Sequence, residues 1–196
     1  LTAAISLNAK SVLFRNGKTA YTIVTCNDAS VSELTAAKEL SEYLNEISGA
    51  EFTVVKEEKA DLKGKHIFIG YSPAYGKDMQ ADRPEDDFEG FRYCNVGKNI
   101  WIYGGKGRGT MYGVFSFLEN ELGVRWYASD CTKVPSLKAW EFEKMDVSEE
   151  PAVKYRFTQY RNVESNPVWL AHNKNNSVWS ACDNEYGGLS SYWNAH

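Results

Sequence analysis

Four groups of residues in this 196-residue chain have types and spacings that invite chemistry: a glycine-rich run, paired carboxylates, dispersed histidines and cysteines, and an excess of aromatic rings. The run Gly104-Gly-Lys-Gly-Arg-Gly109 precedes an apolar helical pattern, where successive backbone N–H groups could cradle a phosphate. Its letters fit neither known fingerprint. Thr110-Met111 follow Gly109 where a Walker loop needs Lys and then Ser or Thr, and Thr110 or Tyr112 stands where the dinucleotide motif needs its third glycine. The run therefore reads as a tight strand-to-helix turn, with Gly113 letting the helix lie close on the sheet.

Glycosidase chemistry needs two carboxyl groups across a cleft, one with a raised pKa. The pairs available are Asp86-Asp87, Glu119 with Glu121, Glu141 with Glu143, and Glu149-Glu150, all in turns, on polar faces or in a linker, where they read as surface charge. His66, His172 and His196 are dispersed, no HExxH occurs, and Cys26, Cys94, Cys131 and Cys182 form no CxxC pair. No metal and no cofactor is expected. The cysteines read as small buried apolar residues, with their disulfide state open. No GxSxG elbow supports a nucleophile.

Aromatic residues reach 14%, with 6 Trp and 12 Tyr. Such rings can stack on sugars, and Trp101, Tyr103, Trp126 and Tyr127 are the candidates for a carbohydrate-binding platform. Alternation puts Trp101 and Tyr103 on one sheet face, which is either a solvent-facing platform or a surface that helices cover. A net charge of −4 gives no electrostatic footprint for nucleic acid, and no apolar run is long enough to span a membrane.

The elements that must position these groups follow from periodicity. Tyr21–Thr25 alternates as a strand. Ser30 and Glu33 have capping-box spacing before a helix whose stripe is Leu34, Ala37, Leu40, Leu44 and Ile47, stopped by Gly49. Phe52–Val55 and His66–Ile69 read as strands, and residues 76–90 as a solvated excursion. Phe91–Val96 and Asn99–Tyr103 flank Gly97-Lys98, the signature of a type II′ hairpin, so the sheet is mixed. A second helix carries Met111, Val114, Phe115, Leu118 and Leu122 and closes at Gly123, and Arg125–Tyr127 and Trp140–Glu143 are short final strands. The texture changes at Ser148-Glu-Glu-Pro151. The remainder, with a strand over 154–160 and a short helix opened by Asn166-Pro167, is too small to bury a core of its own.

The stretches Glu33–Leu44, His66–Gly70, Tyr103–Glu119 and Leu122–Tyr127 together resemble a known module, with Gly-Gly-x-x-Arg-Gly-x-x-Tyr-Gly as the most specific part. It is similar to the N-terminal α/β domain that precedes the catalytic barrel in α-glucuronidase-like and β-N-acetylhexosaminidase-like glycoside hydrolases, most of all in DUF4838-type multidomain proteins of polysaccharide-degrading bacteria. The resemblance implies an α+β fold in which a mixed sheet carries two main helices on one face, grouped with zincin-like topologies but without the zinc motif. It also implies a division into an accessory domain over 1–150 and the start of a TIM barrel over 151–196. The accessory domain would be non-catalytic, its partners the barrel and, through the whole protein, carbohydrate; an extracytoplasmic location follows. The alternative is a carbohydrate-binding module. In the barrel reading Arg161, near the end of the first strand, is the leading substrate contact, followed by Trp169 and Asn173. His172-Asn173-Lys174 stands where relatives often carry Arg-Asn-Arg.

Overall fold

The computed structural model describes residues 10–61, 63–73, 82–158, 160, 166–176 and 184–188. The described residues begin with a hairpin that apolar periodicity does not mark. Strands β1 (Ser11–Arg15) and β2 (Lys18–Thr19) are joined by Asn16-Gly17, both at positive φ (52° and 71°), as a type I′ turn demands. With β10 (Ala139–Phe142) they form a three-stranded antiparallel sheet in the order β10-β1-β2.

The main sheet has six strands, in the order β11-β6-β7-β5-β3-β4. Strands β3 (Tyr21–Thr25), β4 (Val54–Lys56), β5 (Lys65–Ile69) and β7 (Asn99–Gly104) run parallel, whereas β6 (Phe91–Val96) and β11 (Asp146–Glu149) are antiparallel to their neighbours. The mixed sheet is the one expected, and in the β6–β7 turn Gly97 alone takes positive φ (59°), consistent with type II′. Two boundaries differ. The strand expected from Phe52 begins at Val54 because Phe52 turns into the core, where it is 1% exposed. The segment read as a linker before Pro151 instead supplies β11, a polar edge strand.

Helix α1 (Val31–Ser48) forms where its cap, period and stop coincide. Ser30 Oγ accepts from the Glu33 N–H, the Glu33 carboxylate accepts from the Ser30 N–H, and Gly49 closes the helix at φ 69°. Ala37, Leu40, Leu44 and Ile47 are buried as predicted. Leu34 is not: it is 42% exposed, and Ala36 takes its place against the core. Helix α2 (Gly109–Asn120) is buried from Gly109 through Leu118, which explains a sequence apolar on nearly every face. It lies on the sheet through Gly113, where an added Cβ would stand 3.0 Å from Ile102 and 3.1 Å from Phe91.

Both helices cover one sheet face, packing on Ile23, Ile67, Ile69, Ile100 and Ile102. The alternate residues Val24, Phe68, Cys94, Trp101 and Tyr103 form a second apolar layer on the opposite face, closed by Val55, Ala60 and Tyr71. Burial on both faces accounts for the unbroken apolar runs of β5 and β7. Strands β8 (Arg125–Ala128) and β9 (Cys131–Lys133) make a separate hairpin, and helix α3 (Pro167–His172) is capped by the Asn166 side chain accepting from the Trp169 N–H at 2.9 Å. The strand expected over 154–160 is not formed by its described residues. The Arg156 N–H and C=O pair instead with Asn176, at 2.9 and 3.2 Å, so that backbone is satisfied without a ladder.

The edge strand β11 is pinned by Arg92, which donates through Nε and Nη2 to the two oxygens of Asp146 (2.7 and 2.9 Å) and through Nη1 to the Tyr103 hydroxyl (3.2 Å). Hydrogen bonding to Arg92 holds the Asp146 carboxyl below its usual range. In the interval between the folded and unfolded pKa values the unfolded chain binds more protons, so this contribution is present above about pH 4 and lost as pH falls through the lower, folded value. Asp146→Asn is expected to shallow the loss of stability between about pH 5 and 2 in urea titrations. An unchanged acid limb would refute the assignment.

Candidate functional site

The glycine loop between β7 and α2 is filled by protein. The Gly104 N–H donates to Thr110 Oγ1 (3.1 Å) and the Gly107 N–H to the Asp86 carbonyl (2.9 Å). The hydroxyls of Ser30 and Ser32, at the start of α1, donate to the carbonyls of Lys106 and Gly107 at 2.7–2.8 Å. The loop thus presents carbonyl oxygens to α1, with the amides of 104 and 107 already engaged, which suits a packed turn and not an anion cradle. The glycines are required by close approach of the 85–90 segment. An added Cβ would fall 2.6 Å from the Glu85 carbonyl oxygen at Gly105, and 2.6 Å from the Phe88 carbonyl oxygen at Gly109. Gly105→Ala is expected to cost about 1–3 kcal/mol by overpacking, measured by urea unfolding, because the obstacle is backbone and cannot swing aside.

Beside this loop the excursion is exposed at 82, 83 and 85–88, as expected, and only its end at Glu89 and Gly90 turns inward. Glu89, 16% exposed at its side chain, accepts from Arg108 Nη1 at 3.0 Å, from Arg156 Nη2 at 2.5 Å, and from Asn176 Nδ2 at 2.8 and 2.9 Å on its two oxygens. Arg108, 5% exposed, also donates to the Gly188 carbonyl, and Arg156 donates through Nε to the Lys174 carbonyl at 2.6 Å. This cluster lines a cleft of about 1040 Å³ whose walls also include Ser30, Asp86, Lys106 and Lys154. Both Glu89 oxygens are saturated by cationic or amide donors. The group is a clamp between the 82–90 segment and residues 154–188, and it has no free lone pair with which to take a proton from a substrate.

A second buried clamp lies at α1. Glu39 Oε2 is 2.6 Å from His172 Nε2, and Glu39 Oε1 accepts from the Tyr186 hydroxyl at 2.5 Å. Burial, with the Glu39 hydrogen bond adding to it, pushes the Tyr186 phenol far up and keeps it a donor. The His172 ring stacks on Trp126 (4.5 Å between centroids, 19° between planes) and meets Phe115 edge-on at 4.6 Å. Trp126 Nε1 donates to the Tyr43 hydroxyl at 2.7 Å.

Of the predicted substrate contacts, Trp169 and Asn173 fall beside this second clamp. Arg161 lies outside the described residues. Trp169 Nε1 and Asn173 Nδ2 both donate to the Trp126 carbonyl, at 3.0 and 3.4 Å, so the structure brings these two together on β8; Asn173 is exposed and Trp169 half-buried. Of the aromatic candidates, Trp101, Tyr103 and Trp126 are 3%, 4% and 7% exposed, and only Tyr127 is open to solvent. Trp101 and Tyr103 are covered from the face opposite the helices, where Phe68 stacks on Trp101 at 4.1 Å. The paired acids make surface ion pairs, among them Glu119 with Lys174, Glu143 with Lys10, and Glu141 with Arg15. Cys26 and Cys94 are free and buried, burial pushing the Cys26 thiol up to about 12, whereas Cys131 is exposed, contrary to the apolar reading; Cys182 lies outside the described residues. Among the described residues no group of three His, Cys, Asp or Glu could hold a metal ion, and no helix is long and apolar enough to cross a membrane. Arg108 is the arginine of the Gly-Gly-x-x-Arg-Gly-x-x-Tyr-Gly stretch, whereas the clamp residues Glu39, Glu89, Arg156 and Asn176 escape sequence reasoning because no periodicity or motif marks them.

A family model described as the glycosyl hydrolase family 67 N-terminus matches residues 8–117. Solved structures share the fold at low identity. A family GH115 4-O-methyl-α-glucuronidase with specificity for decorated arabinogalactans is 18% identical, with a TM-score of 0.56 over 74% of this chain and 19% of its own. The GH20 β-N-acetylhexosaminidase of Streptomyces coelicolor A3(2) is 16% identical, with a TM-score of 0.53 over 87% of this chain and 31% of its own. The chitobiase of Flavobacterium johnsoniae is 14% identical, with a TM-score of 0.51 over 86% of this chain and 24% of its own. The chain therefore spans less than a third of the length of these proteins. No curated protein sequence matches it.

Proposed function

Because this chain belongs to the glycosyl hydrolase family 67 N-terminus family, we propose that it is the non-catalytic N-terminal domain of a carbohydrate-active enzyme, carrying over residues 151–196 the opening of the barrel in which glycosidic bonds are hydrolysed. The observation that carries this reading is the fate of the buried carboxylates. Glu89 is saturated by Arg108, Arg156 and Asn176, Glu39 is held by His172 and Tyr186, and Glu33 closes the α1 cap and accepts from Thr110. Burial lifts the Glu33 carboxyl above its ordinary value, but its oxygens face Ser30 and Thr110 and no open cleft. A glycosidase acid must reach a leaving-group oxygen, and these groups reach only protein.

What the chain does in this role is hold. Glu89 and Glu39 are fixed on the sheet-and-helix body, and their partners Arg156, Asn176, His172 and Tyr186 all come from the segment after Pro151. The two clamps set where that segment leaves the domain, and with it the first barrel elements. The chemistry belongs to paired carboxylates at the ends of later barrel strands. The substrate is a polysaccharide or oligosaccharide, met outside the cytoplasm. The test is to assay the 196-residue chain and the longer protein against aryl glycosides and uronic-acid oligosaccharides. Turnover by the longer protein alone is expected; turnover by the short chain at the full rate would overturn the assignment.

A further inference from the structure

Beyond the carboxyl ends of parallel strands, an open α/β sheet leaves a crevice between the strand ends and the starts of its helices. Here, past Thr25 of β3, Ile69 of β5 and Gly104 of β7, the Glu33 side chain fills that space, and the residue is 1% exposed. Gly70 (φ 85°) makes room for it: an added Cβ would stand 2.7 Å from Glu33 Oε1 and 3.2 Å from Cys26 Sγ. An ionised carboxylate offers about four lone-pair sites. Glu33 receives two donors among the described residues, the Ser30 N–H on Oε2 at 2.9 Å and the Thr110 hydroxyl on Oε1 at 3.0 Å. The Cys26 thiol donates instead to the Ile69 carbonyl at 3.5 Å. The cations nearby are committed to other acids, Lys106 to Asp28 at 2.6 Å and Arg83 to Asp86 at 3.1 Å. With Cys26 and Glu57, these are the charged and titratable groups whose fields reach the crevice.

Thr110, fully buried, is placed to serve either charge state of Glu33. Facing the anion, its hydroxyl donates to Oε1 while accepting from the Gly104 N–H at 3.1 Å. Facing the neutral acid, Thr110 Oγ1 accepts the carboxyl proton and its own proton turns to the Gly104 carbonyl at 3.3 Å. The Ser30 N–H stays on Oε2 in both. The neutral acid therefore has a partner for its one proton, whereas the anion keeps lone pairs that no donor meets. We propose that Glu33 is a proton-operated latch: as a neutral acid it joins α1 to the glycine loop, and its ionisation on raising the pH loosens the cleft wall formed by Ser30, Ser32, Lys106 and Gly107. The start of α1 favours the anion. Burial outweighs the hydrogen bonds from Ser30 and Thr110 and the Lys106 charge, and holds the carboxyl above its ordinary range. Between the unfolded and the raised folded value the folded chain binds more protons. The stabilisation is thus complete below about pH 4 and is lost as pH rises through the folded value.

The experiment compares wild type with Glu33→Gln, whose amide keeps the neutral acid's pattern: an oxygen for the Ser30 N–H and an N–H for Thr110 Oγ1. Urea unfolding from about pH 4 to 8 gives the folding constant of each. The wild-type constant divided by that of Glu33→Gln is expected to fall as pH rises, by up to about tenfold per pH unit, and then to level off. A ratio that stays flat or rises with pH would overturn the proposal. Amide exchange, corrected for its intrinsic pH dependence, locates the change. Between about pH 5 and 8, protection at Ser30, Gly104 and Thr110 is expected to drop about tenfold or more in wild type, with Leu40 unchanged and no drop in Glu33→Gln. An equal drop at Leu40 would mean loss of the whole fold and not of a latch, and would also overturn it. Should Glu33→Gln fail to fold, ¹³C NMR of the wild-type Glu33 carboxyl decides: a midpoint above the range of a peptide glutamate supports the latch, and one within or below that range removes it.

Discussion

Glu89→Ala is expected to destabilise the 196-residue chain by about 3–5 kcal/mol, because it leaves Arg108 and Arg156 charged and inside the protein without their common carboxylate. The size follows from burial. The Arg108 side chain is 5% exposed and that of Arg156 20%, so water can replace the lost partner only in part. Asn176 Nδ2 keeps the Lys154 carbonyl as an acceptor at 2.7 Å but loses Glu89, which leaves one buried N–H without its partner. Urea unfolding followed by tryptophan fluorescence measures the loss. Glu89→Gln keeps the shape and one acceptor oxygen, and is expected to fall between the two. Limited proteolysis supplies a second readout: cleavage between 151 and 176 should rise in Glu89→Ala before the sheet itself is cut, since the clamp is what ties Arg156 and Asn176 to the 82–90 segment. A loss under about 1 kcal/mol would place the pair among exposed ion pairs and refute its role as a clamp.

The contrast between α1 and Glu89 explains what can be read from such a sequence. The helix is legible because its cap, its stripe and its glycine stop lie within twenty residues and each acts locally. The β6–β7 hairpin is legible for the same reason, and so in principle is the β1–β2 hairpin, where Asn16-Gly17 is an equally local signal that a search for alternating apolar residues passes over. Strand β11 is different. Its residues are polar and its pairing depends on Arg92, 54 positions away, so nothing within Asp146–Glu149 marks it as sheet. Glu89 meets Arg156 across 67 positions and Asn176 across 87, and Glu39 meets His172 across 133. A carboxylate in a charged loop is indistinguishable from surface charge until the chain is folded. The aromatic excess shows the same limit from the other side. Alternation correctly puts Trp101 and Tyr103 on one face, but which segment covers that face is a tertiary fact, and here it is Val55, Ala60 and Tyr71.

Trp126→Ala is the change that separates a structural tryptophan from a sugar platform. The indole is 7% exposed and packs between His172, stacked on one side, and the edges of Tyr43 and Phe115 at 5.7 and 5.8 Å. Its Nε1 is the donor to Tyr43, and its carbonyl receives both Trp169 and Asn173. Removing the ring opens a cavity where α1, α2, β8 and α3 meet, for an expected loss of about 3–5 kcal/mol. Trp126→Phe keeps an aromatic face against His172 and loses the N–H donor, for about 1 kcal/mol. The order Ala, then Phe, then wild type in urea midpoint is the structural outcome, with residues 166–176 becoming sensitive to protease first, because His172 stacks on the ring that is removed while Trp169 and Asn173 keep only the backbone carbonyl. A sugar platform would behave in the opposite way, keeping its unfolding midpoint and losing retention on a glycan column. A stable Trp126→Ala protein that no longer binds glycan would return the binding-module reading to first place, and would require the ring to leave His172 when sugar binds.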